Sequence, residues 1–181
     1  MPMTTLPRQL LLGVVALGTA ASAFADKTVL NVYTALETDQ LKAYQQAFNK
    51  SYPDIEIKWT RDSTGIITAK LIAEKSRPVA DVVMGVAASS MVVFEREGML
   101  QPYAPANLKE ITPRYRAAGN VPAWVGMNVW GAAICYNVVE MQKQGLPRIE
   151  SWKDLLKPEF KGKIAMPNPA SSGTGFLDVT A

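Results

Sequence analysis

Residues 28–34, TVLNVYT, are rich in β-branched and aromatic side chains with polar residues at either end, a pattern that predicts a largely buried strand. Leu41, Tyr44 and Phe48 then recur at helical spacing, with Gln, Lys and Asn on the opposite face, and Pro53 closes that helix. Ile55, Ile57 and Trp59 alternate with Glu56, Lys58 and Thr60, which marks a strand with one wet face near a sheet edge. Ser63-Thr64-Gly65 opens a second helix in which Ile67 and Leu71 lie one turn apart and Lys70 faces Glu74. Residues 80–85, ADVVMG, form a short apolar strand, and a third helix runs from about residue 87 to Glu97, stopped by Gly98.

This β-α-β-α-β-α order predicts an α/β fold, an open parallel sheet with helices on both faces. Such sheets bind ligands beyond the carboxyl ends of their strands. The positions to inspect are therefore Thr34 to Glu37, Asp62 to Gly65, and Gly85 to Ala87. Between Gln101 and Pro122, Pro102, Pro105, Pro113 and Gly119 break up the pattern into a loop-rich connection. Residues 128–137, NVWGAAICYN, then read as a strand, residues 138–144 as a short helix, and residues 151–156 as a capped helical turn. Residues 163–166 read as another strand, and a helix begins at Phe176. That helix meets no C-terminal stop signal before Ala181, so the chain is expected to be a fragment.

Composition narrows the chemistry. Among 181 residues there is no histidine and one cysteine. A Ser-His-Asp or Cys-His pair and imidazole ligation of a metal are thereby excluded within this chain, as are internal disulfides and thiolate clusters. A net charge of +3 is too small and too scattered to point to nucleic acid. The first 25 residues run from a basic start at Arg8 through LLLGVVALGTAA to Ala23-Phe24-Ala25, the order of a cleavable secretory signal. The apolar run is shorter than the ~20 residues of a membrane span, and no cysteine sits near the cut to carry a lipid. An exported, soluble protein is expected.

Two helix starts carry candidate chemistry. Ser171, Ser172, Gly173, Thr174 and Gly175 combine hydroxyls with glycines that let backbone approach a ligand, and free N–H groups at a helix start suit a phosphate, phosphonate or carboxylate. Ordinary helix capping explains the same residues, and no lysine follows, so this is not a phosphate loop of the Walker type. Ser63, Thr64 and Gly65 follow the same logic. Glu37 is placed either to pair with a ligand amine or to serve as a solvated acid at a helix start. Asp62, Asp81 and Glu56 are further acids near strand ends or edges. Tyr33, Trp124 and Trp130 are candidates for lining a cleft or for core packing, and Cys135 reads as a buried thiol. No serine has an evident activator, so no catalytic residue is assigned.

The segments LNVYTALETDQLKAYQQAFNKSYPDIEIKWTRDSTGIITAKLIAEK and RPVADVVMG, with the later YNVVEM and LPRIESWKDLLKPEFKGKIAMPNP, resemble bacterial extracellular solute-binding proteins of the ferric-iron-binding type. Within that family VYTALETDQ, RDSTGIITAKL and PASSGTGFLDV are most similar to members assigned to 2-aminoethylphosphonate uptake. The resemblance implies a type 2 periplasmic-binding fold of two lobes that closes on a small ligand and delivers it to an ABC transporter permease. It divides the chain into a signal peptide (residues 1–25), a first lobe (residues 26–122) and the start of a second, truncated lobe (residues 123–181). It also implies a periplasmic monomer without catalytic residues, cofactor or nucleic-acid partner. Its anion-binding loop matches Ser171 to Gly175, so a phosphonate is expected between Ser63, Thr64 and Gly65 of one lobe and that loop of the other, with Glu37 at the ammonium. Iron-binding relatives place metal ligands near the positions of Glu37 and Val86 and in a later tyrosine pair; valine cannot ligate, and the pair would fall beyond Ala181. Ferric iron or another metal or anion is the alternative cargo, and a secreted enzyme a more distant one. With its second lobe incomplete, the chain is expected to expose apolar surface and to bind ligand poorly.

Overall fold

The computed structural model describes residues 27–180; the expected signal peptide, residues 1–25, lies outside them. The elements follow in the order β1 (Thr28–Thr34), α1 (Thr38–Ser51), β2 (Ile55–Arg61), α2 (Thr64–Ala73), β3 (Val82–Met84), α3 (Ala88–Arg96), α4 (Val138–Lys143) and α5 (Gly173–Thr180). The three strands form one parallel sheet in the order β2-β1-β3. Parallel neighbours need a crossover, and α1 and α2 supply the two. β2 lies at an edge, as its alternation predicted.

β1 is central, and its carboxyl half, Val32, Tyr33 and Thr34, is buried. Tyr33 packs with Ile67 and Leu71 of α2 and Phe94 of α3, against partly buried Val83, Val86 and Met91. Its hydroxyl donates to Glu74 Oε2 at 3.0 Å, and Lys70 Nζ reaches Glu74 Oε1 at 2.6 Å while lying 5.4 Å from the Tyr33 ring centroid. Asp81 receives the Asn31 backbone N–H at 2.8 Å and the Asn31 side-chain amide at 3.1 Å, which fastens the start of β3 to β1. Thr68 Oγ1 donates to the Thr64 carbonyl at 2.6 Å and sits 2.8 Å from Ser90 Oγ, tying α2 to α3.

Beyond Gly98 the chain is loop-rich, with short 3-10 turns at Leu108–Glu110 and Pro113–Tyr115. The capped turn is present as a 3-10 helix, Trp152–Leu156: Asp154 Oδ2 receives the Glu150 and Ser151 backbone N–H groups at 2.9 and 2.8 Å. Bonded to Lys157 and to those two amides, the Asp154 carboxyl is held well below the usual carboxylate range.

Three expectations need correction. Residues 128–137 and 163–166 are not strands; no ladder partner lies beside them among the described residues, and apolar alternation alone does not satisfy backbone hydrogen-bonding groups. Cys135 is consequently exposed, not buried. Of the two roles open to Tyr33, core packing is the one it takes, as is the default for such an aromatic.

Two stability predictions follow from the core. Phe94 is 1% exposed, so Phe94→Ala should cost about 3–5 kcal/mol by urea unfolding, whereas Val93→Ala, at a position 39% exposed on the same helix, should cost about 0.5 kcal/mol. The Tyr33–Glu74–Lys70 network should also shape the pH profile. The hydrogen bond from Lys70 holds the Glu74 carboxyl below its ordinary 4.5, so its stabilisation is complete above that value and is lost as pH falls through the lowered folded value. Lys70 is raised above 10.5 by its bond to Glu74, and Tyr33 above 10.0 by burial, so both contributions are complete below those values and are lost as pH climbs past the folded ones. Glu74→Gln should therefore flatten both the acid and the alkaline limb of the urea-midpoint curve from about pH 3 to about pH 11.

Candidate ligand-binding site

The site begins where β1 ends. The Asp62 N–H donates to the Thr34 carbonyl at 3.2 Å, which sets the start of α2 directly beyond the carboxyl end of the central strand. At the other end of the chain Asn168 organises the approach to α5. Its carbonyl accepts the Ser171 and Ser172 N–H groups at 3.1 and 2.8 Å, its side-chain oxygen accepts Ala170 N–H at 2.9 Å, and Ser172 Oγ receives Gly175 N–H at 3.2 Å.

These two helix starts touch. The Gly65 N–H donates to the Ser171 carbonyl at 2.8 Å. A methyl group on Gly65 would lie 2.5 Å from the Ala170 carbonyl oxygen, and one on Gly173 would lie 2.9 Å from Thr64 Oγ1. Gly65, which meets backbone, is a condition of the approach; at Gly173 the neighbour is a side chain that would have to turn aside. The sequence expectation set the two loops across a cleft with ligand between them; in the structure Gly65 and Ser171 are in direct contact, and the Gly65 amide is already engaged. Among the described residues the Thr64, Ile66, Gly173 and Thr174 N–H groups have no protein acceptor.

A third helix start adjoins them. Ala87, Ala88 and Ser89, at the head of α3, share with Gly173 the lining of a hollow of about 600 Å³ beyond the end of β3. The hollow is walled by Trp124, Val125, Met127, Val129 and Trp130 on one side and by Phe176, Leu177 and Thr180 of α5 on the other, with no charged residue in its lining. Trp124 and Trp130 were candidates from sequence; the intervening Val125, Met127 and Val129 and the apolar face of α5 were not. Their alternation and helical spacing were legible, but only folding shows that the two segments flank one space. Trp124 also anchors to α3, its indole N–H donating to Glu95 Oε2 at 3.0 Å.

Glu37 stands apart from this cluster. It precedes α1, its N–H donates to Gln40 Oε1 at 3.2 Å, and its carboxylate pairs with Arg61, which also donates through Nε to the Leu36 carbonyl at 3.0 Å. The side chain is 71% exposed, so its geometry is that of a solvated acid at a helix start. No group of three or more His, Cys, Asp or Glu residues able to hold a metal occurs among the described residues. No described helix is long and apolar enough to cross a membrane.

The chain is 29% identical over 167 residues to an uncharacterized protein of Haemophilus influenzae, covering 89% of this chain and 47% of that protein. It is 31% identical over 121 residues to a probable ABC transporter periplasmic-binding protein of Sinorhizobium fredii, covering 66% of this chain and 32% of the relative. Among solved structures it matches the periplasmic binding protein P5PA (TM-score 0.66, 28% identity, 83% of this chain and 48% of that one). It also matches the periplasmic binding protein AfuA from Actinobacillus pleuropneumoniae with exogenous fructose-6-phosphate bound (TM-score 0.69, 26% identity, the same coverage). The fold is thus the mixed α/β fold of periplasmic binding proteins, of which the chain spans about half the length. The sequence model of bacterial extracellular solute-binding proteins matches residues 77–179, more than half of the chain, and the protein belongs to that family.

Proposed function

We propose that this protein is the periplasmic substrate-binding component of an ABC importer and captures a small phosphonate, 2-aminoethylphosphonate foremost. The observation that carries the reading is the convergence of three helix amino ends, those of α2, α3 and α5, beyond the carboxyl ends of the strands. Unpaired N–H groups at helix starts attract an oxyanion through hydrogen bonds and partial positive charge, without a cationic side chain. The Thr64, Ile66, Gly173 and Thr174 amides lie within three residues of Gly65 or Ser171 and have no protein acceptor among the described residues, and the oxyanion would rest on them. Ser63, Ser171 and Ser172 carry hydroxyls at the same two helix starts. On this reading residues 26–122 are the first lobe and residues 123–181 begin the second, residues 1–25 direct export, the partner is a membrane permease, and no reaction is catalysed.

A sugar phosphate is the second reading. It is favoured by the likeness to a binding protein whose structure holds fructose-6-phosphate, a ligand with the same terminal oxyanion. Metal cargo has less support, because valine, which stands at position 86 where the iron-binding resemblance places a ligand, has no ligating side-chain atom.

Isothermal calorimetry of the purified protein with 2-aminoethylphosphonate, fructose 6-phosphate and ferric citrate separates these readings. The phosphonate should bind at least about tenfold more tightly than the sugar phosphate, a difference of about 1.4 kcal/mol. Heat with ferric citrate alone would defeat the proposal. Gly65→Ala should lower phosphonate affinity by at least about tenfold, because the added methyl group forces the two helix starts apart, while far-UV circular dichroism stays unchanged.

A further inference from the structure

The outer edge of β2 is bare. The Asp54 carbonyl accepts the Thr28 N–H at 3.0 Å and the Asp62 N–H donates to the Thr34 carbonyl at 3.2 Å. The even-numbered residues of β2 therefore turn their backbone groups toward β1, and the odd-numbered ones turn theirs away. Ile57 and Trp59 present N–H and C=O groups, and Ile55 its carbonyl, along an edge where no further strand lies among the described residues. An open edge templates further pairing unless proline, a bulge or an uncompensated charge blocks it. β2 runs for seven residues without proline or glycine, and its interior charges are one of each sign, Glu56 and Lys58. Both are exposed, and neither has an ion-pair partner among the described residues. On the opposite face Ile55, Ile57 and Trp59 are half-buried, and the Trp59 indole N–H donates to Gln45 Oε1 of α1 at 3.0 Å. Beside Trp59 lies a hollow of about 560 Å³, bordered by Leu41, Lys42, Gln46 and Asn49 of α1.

We propose that a second copy of this chain covers this edge. β2 pairs antiparallel with β2 of the copy about a two-fold axis at Ile57, joining two three-stranded sheets into one of six strands. Charge sets the register. With Ile57 opposite Ile57, Glu56 stands opposite Lys58 on one face, twice by symmetry, and Ile55 stands opposite Trp59 on the other. Moving the axis to residue 58 sets Lys58 against Lys58, and moving it to residue 56 sets Glu56 against Glu56. Like charges directly opposite destabilise a strand pair, so the edge complements itself in the Ile57 register. There Ile57 exchanges both backbone bonds with its own copy, and each Trp59 N–H donates to the opposite Ile55 carbonyl. The opposite Ile55 side chain comes to the α1 side beside Trp59, at the hollow. Both copies of α1 lie on that face. Of the two cations bordering the hollow, Arg61 is paired with Glu37, and Gln45, Gln46 and Asn49 carry no charge, so the two helices can approach. The monomer that the family resemblance implies would leave this self-complementary edge unused.

Sedimentation velocity on the purified protein from about 1 to about 300 µM should show a monomer–dimer equilibrium with a dissociation constant in the micromolar range, as suits a small interface. Glu56→Lys and Lys58→Glu each set two pairs of like charges opposite one another, and each should weaken the dimer at least about tenfold. Both side chains are exposed, so far-UV circular dichroism should not change. Mixed in equal amounts, the two variants should form a heterodimer, because a lysine-bearing strand then meets a glutamate-bearing one. The double variant Glu56→Lys/Lys58→Glu, with the charges exchanged, should dimerise as the wild type does. A wild type that stays monomeric across that range overturns the proposal and leaves the edge to a strand of a different protein. A dimer that neither reversal weakens, variants that mixing does not restore, or association without fixed stoichiometry overturns it as well and moves the contact to the exposed apolar surfaces.

Discussion

The hydrogen bond from the Gly65 N–H to the Ser171 carbonyl is the point on which the candidate site depends. It joins two helix starts separated by more than a hundred residues, at a distance that a side chain at position 65 would not permit. Helix starts carry partial positive charge because their first N–H groups have no partner in the helix. On the proposed reading, several of them together select an anion within a chain that has no histidine and, in the adjoining hollow, no charged side chain at all.

What holds the α2 tip in place is the packing beneath it. Ile67 and Leu71 bury the underside of α2 on Tyr33 and Phe94, and the Tyr33 hydroxyl reaches Glu74 at the far end of the helix. One element is thus fixed at its amino end by the Gly65 contact and at its carboxyl end by the buried tyrosine. The α3 tip follows from the same core, since Phe94 is shared and Thr68 lies against Ser90. Rigid placement of donors matters because an anion gains most from amides that need not reorganise on binding.

The first half of the fold was legible because each segment states its own period. Alternation in Ile55, Ile57 and Trp59 gave an edge strand, helical spacing in Ile67 and Leu71 gave the buried face of α2, and the Lys70–Glu74 pair follows from i,i+4 geometry. The second half was less so. Residues 128–137 carry the composition of a strand, but a strand is a relation between two segments, and this one has no partner among the described residues. The exposure of Cys135 follows from the same gap.

The candidate site divides along the same line. Local chemistry marked Ser63 to Gly65 and Ser171 to Gly175 as helix starts, because hydroxyls and glycines cap helices wherever they occur. No local signal could show that these starts meet or that Glu37 is bound to Arg61. Periodicity and capping are written over stretches of four to seven neighbouring residues, so the chain alone determined its elements and their termini. Which termini face one another, and which charges are left unpaired, depends on contacts between residues far apart in the chain, and those exist only once the elements have packed.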